Sequence, residues 1–190
     1  MEMMMTASQD CNLPGRLLQA ILFAAEKHRD QRRKGAEQAP YINHPIAVAE
    51  ILWRMGEIRD EVTLLAAILH DTVEDTDTTP EELERLFGAE VRSVVMEATD
   101  DKTLPKAERK RLQIEHAPHK SVPARAVKIA DKISNLRDIT RTPPPDWSET
   151  RIREYVLWSA QVVAGLRGHH PALEAAFDDV LLEAKGLVGL

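Results

Sequence analysis

The side chains best placed to do chemistry sit where an apolar stretch ends. His70-Asp71 directly follows Val62-Thr63-Leu64-Leu65-Ala66-Ala67-Ile68-Leu69, and Glu74-Asp75 comes one turn later. A helix continuing through this stretch sets His70 beside Glu74 and Asp71 beside Asp75, each pair at i, i+4. An ionised carboxylate buried without a partner costs several kcal/mol, so polar groups at the inner end of a core helix need compensation. A divalent cation provides it, and so would arginines. Taken alone, a His-Asp pair is most often a structural cap. Two further residues shift that balance: His44 lies at a helix start, and Asp131 follows the apolar-rich Val127-Lys128-Ile129-Ala130. Imidazole nitrogen and carboxylate oxygen together make a mixed site suited to manganese, iron or zinc and poor for calcium.

Cations gather nearby in the sequence. Lys27-His28-Arg29-Asp30-Gln31-Arg32-Arg33-Lys34 leads through Gly35 to Pro40-Tyr41-Ile42-Asn43-His44. Lysines and arginines beside a metal suit a multiply phosphorylated substrate, with Arg33, Lys34 and Lys27 as the candidate phosphate contacts. Asn135 and Arg137, one turn beyond Asp131, offer a third wall for a sugar or base. A second cluster, Lys102, Lys106, Arg109, Lys110 and Arg111, reads as a solvated helix face. His116, His119, His169 and His170 lie in polar surroundings and read as surface residues, while His28 belongs to the basic stretch.

The elements that must hold these residues are almost all helical. Apolar positions recur three and four apart from Leu13 to Arg33, at Leu17, Leu18, Ile21, Leu22 and Ala25. Asn43 before Pro45 reads as a cap for a helix that stops near Gly56. Val62 to Val73 is apolar nearly all round, which predicts a helix buried on all sides. Thr79-Pro80-Glu81-Glu82 has the form of a capping box opening a short helix that ends at Gly88. Further helices are predicted over Ala89–Thr99, Pro105–Ala117, Pro123–Ile139, Ser148–Leu166 and Pro171–Lys185, with Pro143-Pro144-Pro145 forcing a loop. No period-2 strand or hairpin dipeptide is apparent. The expectation is an all-α chain, a compact bundle of about eight to nine helices. It forms one domain over 1–190, with a frayed tail over 1–12 and the last two helices covering the core.

Composition narrows the function. The chain has 190 residues, with 25 lysines and arginines against 31 aspartates and glutamates and a net charge of −6. That balance argues against gripping nucleic acid over the whole surface, while leaving room for a local basic pocket. The single cysteine, Cys11, excludes an internal disulfide and any cysteine-built zinc or iron–sulfur site. No apolar run approaches the ~20 residues of a membrane span. Met1-Glu2-Met3-Met4-Met5-Thr6 does not read as a signal peptide, so the expected location is the cytoplasm. The sequence leaves the oligomeric state open.

The order His44, His70-Asp71, Asp131 resembles the signature of the HD phosphohydrolase superfamily. The longer matches are more specific. Arg33-Lys34, Pro40-Tyr41-Ile42-Asn43-His44-Pro45, Leu69-His70-Asp71-Thr72-Val73-Glu74-Asp75-Thr76 and Ala130-Asp131-Lys132-Ile133-Ser134-Asn135-Leu136-Arg137 resemble the hydrolase domain of the RelA/SpoT family. With five residues between Lys34 and Pro40 and no length for a synthetase domain, the chain is similar to the single-domain small alarmone hydrolases of the metazoan SpoT homologue type. The resemblance implies an HD-domain helical bundle and removal of the 3′-pyrophosphate of (p)ppGpp, giving GDP or GTP, with one Mn²⁺ per chain. It implies His44, His70, Asp71 and Asp131 as metal ligands, Glu74 and Asp75 as the catalytic pair, and Arg33, Lys34, Asn135 and Arg137 as nucleotide contacts. Tyr155 is a further candidate to face the nucleotide. Asp138 departs from the threonine common at that position in the long enzymes. Two alternatives keep parts of this reading: an HD-type phosphatase for another nucleotide, such as the 2′-phosphate of NADPH, and a non-catalytic nucleotide-binding module.

Overall fold

The structure, a computed structural model, describes residues 13–190. The tail expected over 1–12 lies outside the described residues. The helices, in chain order, are α1 (Leu13–Lys27), α2 (Asn43–Arg54), α3 (Glu61–Leu69), α4 (Thr72–Asp75), α5 (Pro80–Phe87), α6 (Ala89–Ala98), α7 (Lys106–His116), α8 (Val122–Arg141), α9 (Glu149–Leu166) and α10 (Pro171–Leu187). A 3-10 turn, Ala117–His119, links α7 to α8. The all-α expectation holds. No strand occurs among the described residues, and the one isolated bridge pairs Arg32 with Pro40. Setting aside the single turn of α4, the α-helices among the described residues number nine, within the eight to nine expected from the sequence.

Helix α3 is the hub. Every residue from Thr63 to Leu69 is buried, and α1, α2, α6 and α8 all pack on it. Each fully buried leucine or isoleucine contributes roughly 1.5–3 kcal/mol of transfer free energy, so α3 is fixed by its neighbours. Its start is set by Asp60, whose carboxylate accepts from the Thr63 N–H at 2.8 Å. Helix α8 is the second axis. Ala124, Ala126, Val127, Ile129, Ala130, Ile133, Leu136 and Ile139 are buried under α2, α9 and α10. The buried residues form one hydrophobic cluster running from Ala20 to Val188, so the helices after the triproline loop share the core of the earlier ones. Gly165 permits the approach of α9 to the 3-10 turn, since a Cβ there would lie 2.9 Å from Ala117 Cβ. That approach fixes the helix carrying Tyr155 and Trp158.

Three local expectations are corrected. Helix α1 stops at Lys27 rather than Arg33, because the polar stretch beyond it has no apolar face to bury. The chain instead doubles back, with Arg33 N–H donating to Ala39 O and Tyr41 N–H to Gln31 O. The helix predicted over Val62–Val73 breaks after Leu69, where side chains take the carbonyls that would continue it. His70 Nδ1 is 2.8 Å from Ala67 O, and Thr72 Oγ1 donates to Leu69 O at 2.7 Å. Asn43 does not cap α2; it is the first helical residue, and Ile42 before it is already in helical conformation.

Candidate active site

The break after α3 serves the site. His70 turns into the core, where Nε2 lies 3.2 Å from Asp71 Oδ2 and 3.9 Å from Asp131 Oδ1. From the start of α2, His44 Nε2 comes within 3.2 Å of Asp131 Oδ1 and 3.7 Å of Asp71 Oδ2. Three separate parts of the chain thus come together, with Asp71 Oδ2 close to both imidazole nitrogens and Asp131 Oδ1 reaching them from the other helix. His44, His70 and Asp131 form a group able to hold a metal ion, and all are buried. The other ring atoms are anchored from behind: His70 Nδ1–H points at the Ala67 carbonyl, and His44 Nδ1 pairs with Ser134 Oγ at 3.1 Å. Such anchoring leaves Nε2 for the metal once its proton is lost. The fit is borne out by His70 Nε2 itself, which is buried and makes no hydrogen bond among the described residues despite the nearby carboxylate.

The electrostatics point the same way. Burial pushes His70 down, but the charges of Asp71 and Asp131 outweigh it and carry its pKa up to about 9. Burial pushes Asp131 up, but Lys132 and His44 win and hold it well below the ordinary carboxylate range. Asp71 is likewise held low, with His70 overcoming its burial. The cluster therefore attracts positive charge to the position that Nε2 faces.

Glu74 and Asp75 stand on the cavity side of the break. Glu74 Oε2 accepts the main-chain N–H of Asp100 at 3.0 Å, and Oε1 is 3.7 Å from Arg109 NH1. Burial raises the Glu74 pKa above its ordinary 4.5 against the pull of that N–H, and the charges of Asp100, Asp71 and Asp75 add to the rise. Asp75 is ion-paired with Lys102 and accepts a long 3.3 Å bond from Tyr41 OH. The same hydroxyl donates to Asp71 Oδ2 at 2.7 Å, so Tyr41 ties the two carboxylates together. Sequence reasoning quoted Tyr41 without giving it a task. Its place three residues before His44, within Pro40-Tyr41-Ile42-Asn43-His44-Pro45, is the signal that was available.

Above these groups opens a cavity of about 1580 Å³, lined by Arg33, Lys34, His44, Glu74, Asp75, Asn135 and Tyr155 among others. Lys102, Lys106, Arg109 and Lys110 line it as well, so the second basic cluster is a wall of the site and not a solvated face. Only Arg111 fits that earlier reading, pairing on the surface with Glu108 and Glu115. Trp147, in the loop before α9, and Arg151 and Trp158, on α9, complete the far wall and were missed, because this part of the chain reaches the site only through tertiary packing. Lys106 is pushed down by burial and by the neighbouring cations Arg151, Lys34 and Arg109.

Two expected contacts are not brought there. Lys27 turns to a separate depression, 3.1 Å from Asp77 Oδ1 and 3.2 Å from Glu82 Oε2. Arg137 lies on the opposite side of α8, donating to Met55 Sδ at 3.0 Å. At ~100° per residue, Asp131, Asn135 and Asp138 share one face of α8 and Arg137 does not. Asn135 donates to Asp131 Oδ1 at 2.6 Å and accepts from Arg33 at 2.8 Å, and Arg33 also donates to Asp138 Oδ2 at 2.7 Å. The departure at Asp138 thus supplies a carboxylate that clamps Arg33.

Comparison with known proteins agrees with this geometry. The HD domain family matches residues 20–158. The guanosine-3′,5′-bis(diphosphate) 3′-pyrophosphohydrolase MESH1 of Homo sapiens is 60% identical over 171 residues, covering 90% of this chain and 95% of that protein. Its Xenopus tropicalis counterpart is 58% identical over 167 residues, 88% of this chain and 93% of that one. A solved structure described as a metazoan ortholog of SpoT that hydrolyzes ppGpp and plays a role in starvation responses matches with a TM-score of 0.86 and 46% identity, over 88% of this chain and 94% of that chain. Similarity at this level, running through the helices that build the histidine and carboxylate cluster, shows that the chain belongs to the HD-domain family and, within it, to the MESH1 group.

Proposed function

We propose that the chain is a guanosine-3′,5′-bis(diphosphate) 3′-pyrophosphohydrolase: a single-domain cytoplasmic enzyme that removes pyrophosphate from (p)ppGpp and leaves GDP or GTP. The observation that carries this is the meeting of His44, His70 and Asp131, with Asp71 beside both histidines, beneath a cavity whose walls carry Lys34, Lys106 and Arg151 among other cations. The relatives' names supply the substrate. The ligand set suits Mn²⁺, one per chain, which would acidify a water and polarise a phosphate oxygen when bound.

The chain's own residues have distinct tasks. Lys34, Lys106 and Arg151 offset phosphate charge from the far side of the cavity. Arg33 and Asn135, fixed by Asp138 and Asp131, face the nucleoside, with Tyr155 on the opposite wall. Glu74 takes the proton of the attacking water, because burial makes it a stronger base than an exposed glutamate. The water oxygen bonds to the phosphorus attached to O3′. The P–O3′ bond breaks, O3′ leaves with the electron pair and takes a proton from solvent, and Glu74 releases its proton to solvent to return to the ionised form. Asp75, held by Lys102 and Tyr41, keeps the carboxylate pair in place.

Turnover of ppGpp by the purified chain, with Mn²⁺ and with chelator, tests this reading. Metal-dependent release of GDP and pyrophosphate is expected. Orthophosphate release from a nucleotide monoester with ppGpp untouched would favour the phosphatase alternative, and ppGpp binding without consumption would favour the binding module.

Two further outcomes follow from the same geometry. Replacing Lys106 and Arg151 together with alanine removes two phosphate-facing cations and should raise KM for ppGpp about tenfold or more, with kcat less affected. Steady-state kinetics at saturating Mn²⁺ checks the split. The second concerns pH. Glu74 must be ionised to act, so rate is lost as pH falls through its raised pKa, and the acid limb of kcat should lie above 4.5. Asp100→Asn removes one of the charges raising it while keeping the N–H that Glu74 accepts, so the limb should move to lower pH. A limb that stays put would assign it to another group.

A further inference from the structure

Lys132 lies beside the metal centre and has no task in the mechanism above. It is 3% exposed, deep in α8, with Nζ 2.9 Å from Asp131 Oδ2. Its other neighbour is the ring of Trp158, whose centroid is 4.6 Å away. Trp158 is itself fixed, donating from Nε1 to Lys110 O at 3.0 Å and packing on Tyr155 at 5.3 Å between ring centroids. A buried ammonium needs a carboxylate and a ring face of this kind to offset its lost hydration. The consequence falls on Asp131. Its Oδ2 is taken by Lys132, while Oδ1 receives Asn135 Nδ2 at 2.6 Å and lies 3.2 Å from His44 Nε2. One oxygen faces the histidines, and the other is held back.

We propose that Lys132 is a positioning residue of the metal centre: its ammonium keeps Asp131 Oδ2 out of coordination, so that Asp131 offers a single oxygen and the ion retains open positions. A carboxylate can bind one ion through both oxygens, and a second bond would fill a position that water or phosphate needs. The same positive charge opposes the bound cation. Lys132 therefore lowers metal affinity while sustaining turnover. The inference rests on the metal-centre reading; its metal-binding arm does not depend on which nucleotide is hydrolysed.

The experiment is a Mn²⁺ titration of the metal-stripped full chain by calorimetry, for wild type, Lys132→Met and Lys132→Arg, with kcat and KM for ppGpp measured alongside. Methionine keeps the length and removes the charge. Lys132→Met should bind Mn²⁺ roughly tenfold more tightly. Its kcat should fall roughly tenfold with KM little changed, since an open coordination position is lost. Lys132→Arg should keep metal affinity near that of wild type. A parallel loss of affinity and kcat in Lys132→Met would mean that the lysine merely supports the fold, and would overturn the proposal; so would an unchanged kcat. If the methionine variant does not fold, the crystal structure of the Mn²⁺-loaded wild type decides: Asp131 bound through Oδ1 alone supports the proposal, and both oxygens on the ion overturn it. Failure of the wild type to consume ppGpp would sink the substrate assignment and leave the titration result standing.

Discussion

Glu74→Gln is expected to lower the turnover of ppGpp by about 10²–10⁴-fold while the protein keeps its metal. Glutamine preserves the shape of the side chain, and its amide oxygen can still accept the Asp100 N–H that Glu74 accepts at 3.0 Å. It cannot take a proton. The histidine and aspartate groups around the metal position are untouched, because Glu74 faces the cavity and the Asp100 loop while His70 and Asp131 face inward. Metal analysis and single-turnover kinetics on the same preparation check the two halves together. Added Mn²⁺ should not restore the rate. A variant that lost metal in proportion to activity would move Glu74 from proton transfer to coordination.

Asp71→Ala should fail in the opposite way. It removes the carboxylate 3.2 Å from His70 Nε2 and 3.7 Å from His44 Nε2, and it strips Tyr41 OH of its 2.7 Å acceptor. Loss of a partner that only orients a ligand costs 10–100-fold in metal affinity, so loss of a ligand should cost about 100-fold or more. Activity at limiting Mn²⁺ should vanish and return in part at high Mn²⁺. The rescue distinguishes this variant from Glu74→Gln. An Asp71→Ala chain that kept both metal and rate would show that His44, His70 and Asp131 hold the ion without it.

The sequence made the helices legible because their apolar spacing is strong and their caps are explicit, as at Thr79-Pro80 and Ser148. It made the metal cluster legible because histidine and aspartate right after buried runs have few other reasons to be there. The break between Leu69 and Thr72 was hidden. It depends on His70 and Thr72 side chains capturing carbonyls, which periodicity does not register. The cavity walls were legible on one side only. Arg33 and Lys34 adjoin the His44 loop in sequence, whereas Lys106, Lys110 and Arg151 meet them through the packing of α7 on α9. Lys27 looked like part of the same cationic run, but it precedes the chain reversal and pairs with Asp77 and Glu82 instead. Arg137 shared a motif with Asn135 but not a helix face.

The central claim is that residues from α2, the α3–α4 break and α8 close on one ion. Anomalous scattering at the manganese edge from crystals of the Mn²⁺-loaded chain tests it most directly. One peak per chain is expected, about 2 Å from His44 Nε2, His70 Nε2 and Asp131 Oδ1, with Asp71 also bound. An active, Mn²⁺-loaded chain with its peak away from these atoms would contradict the account.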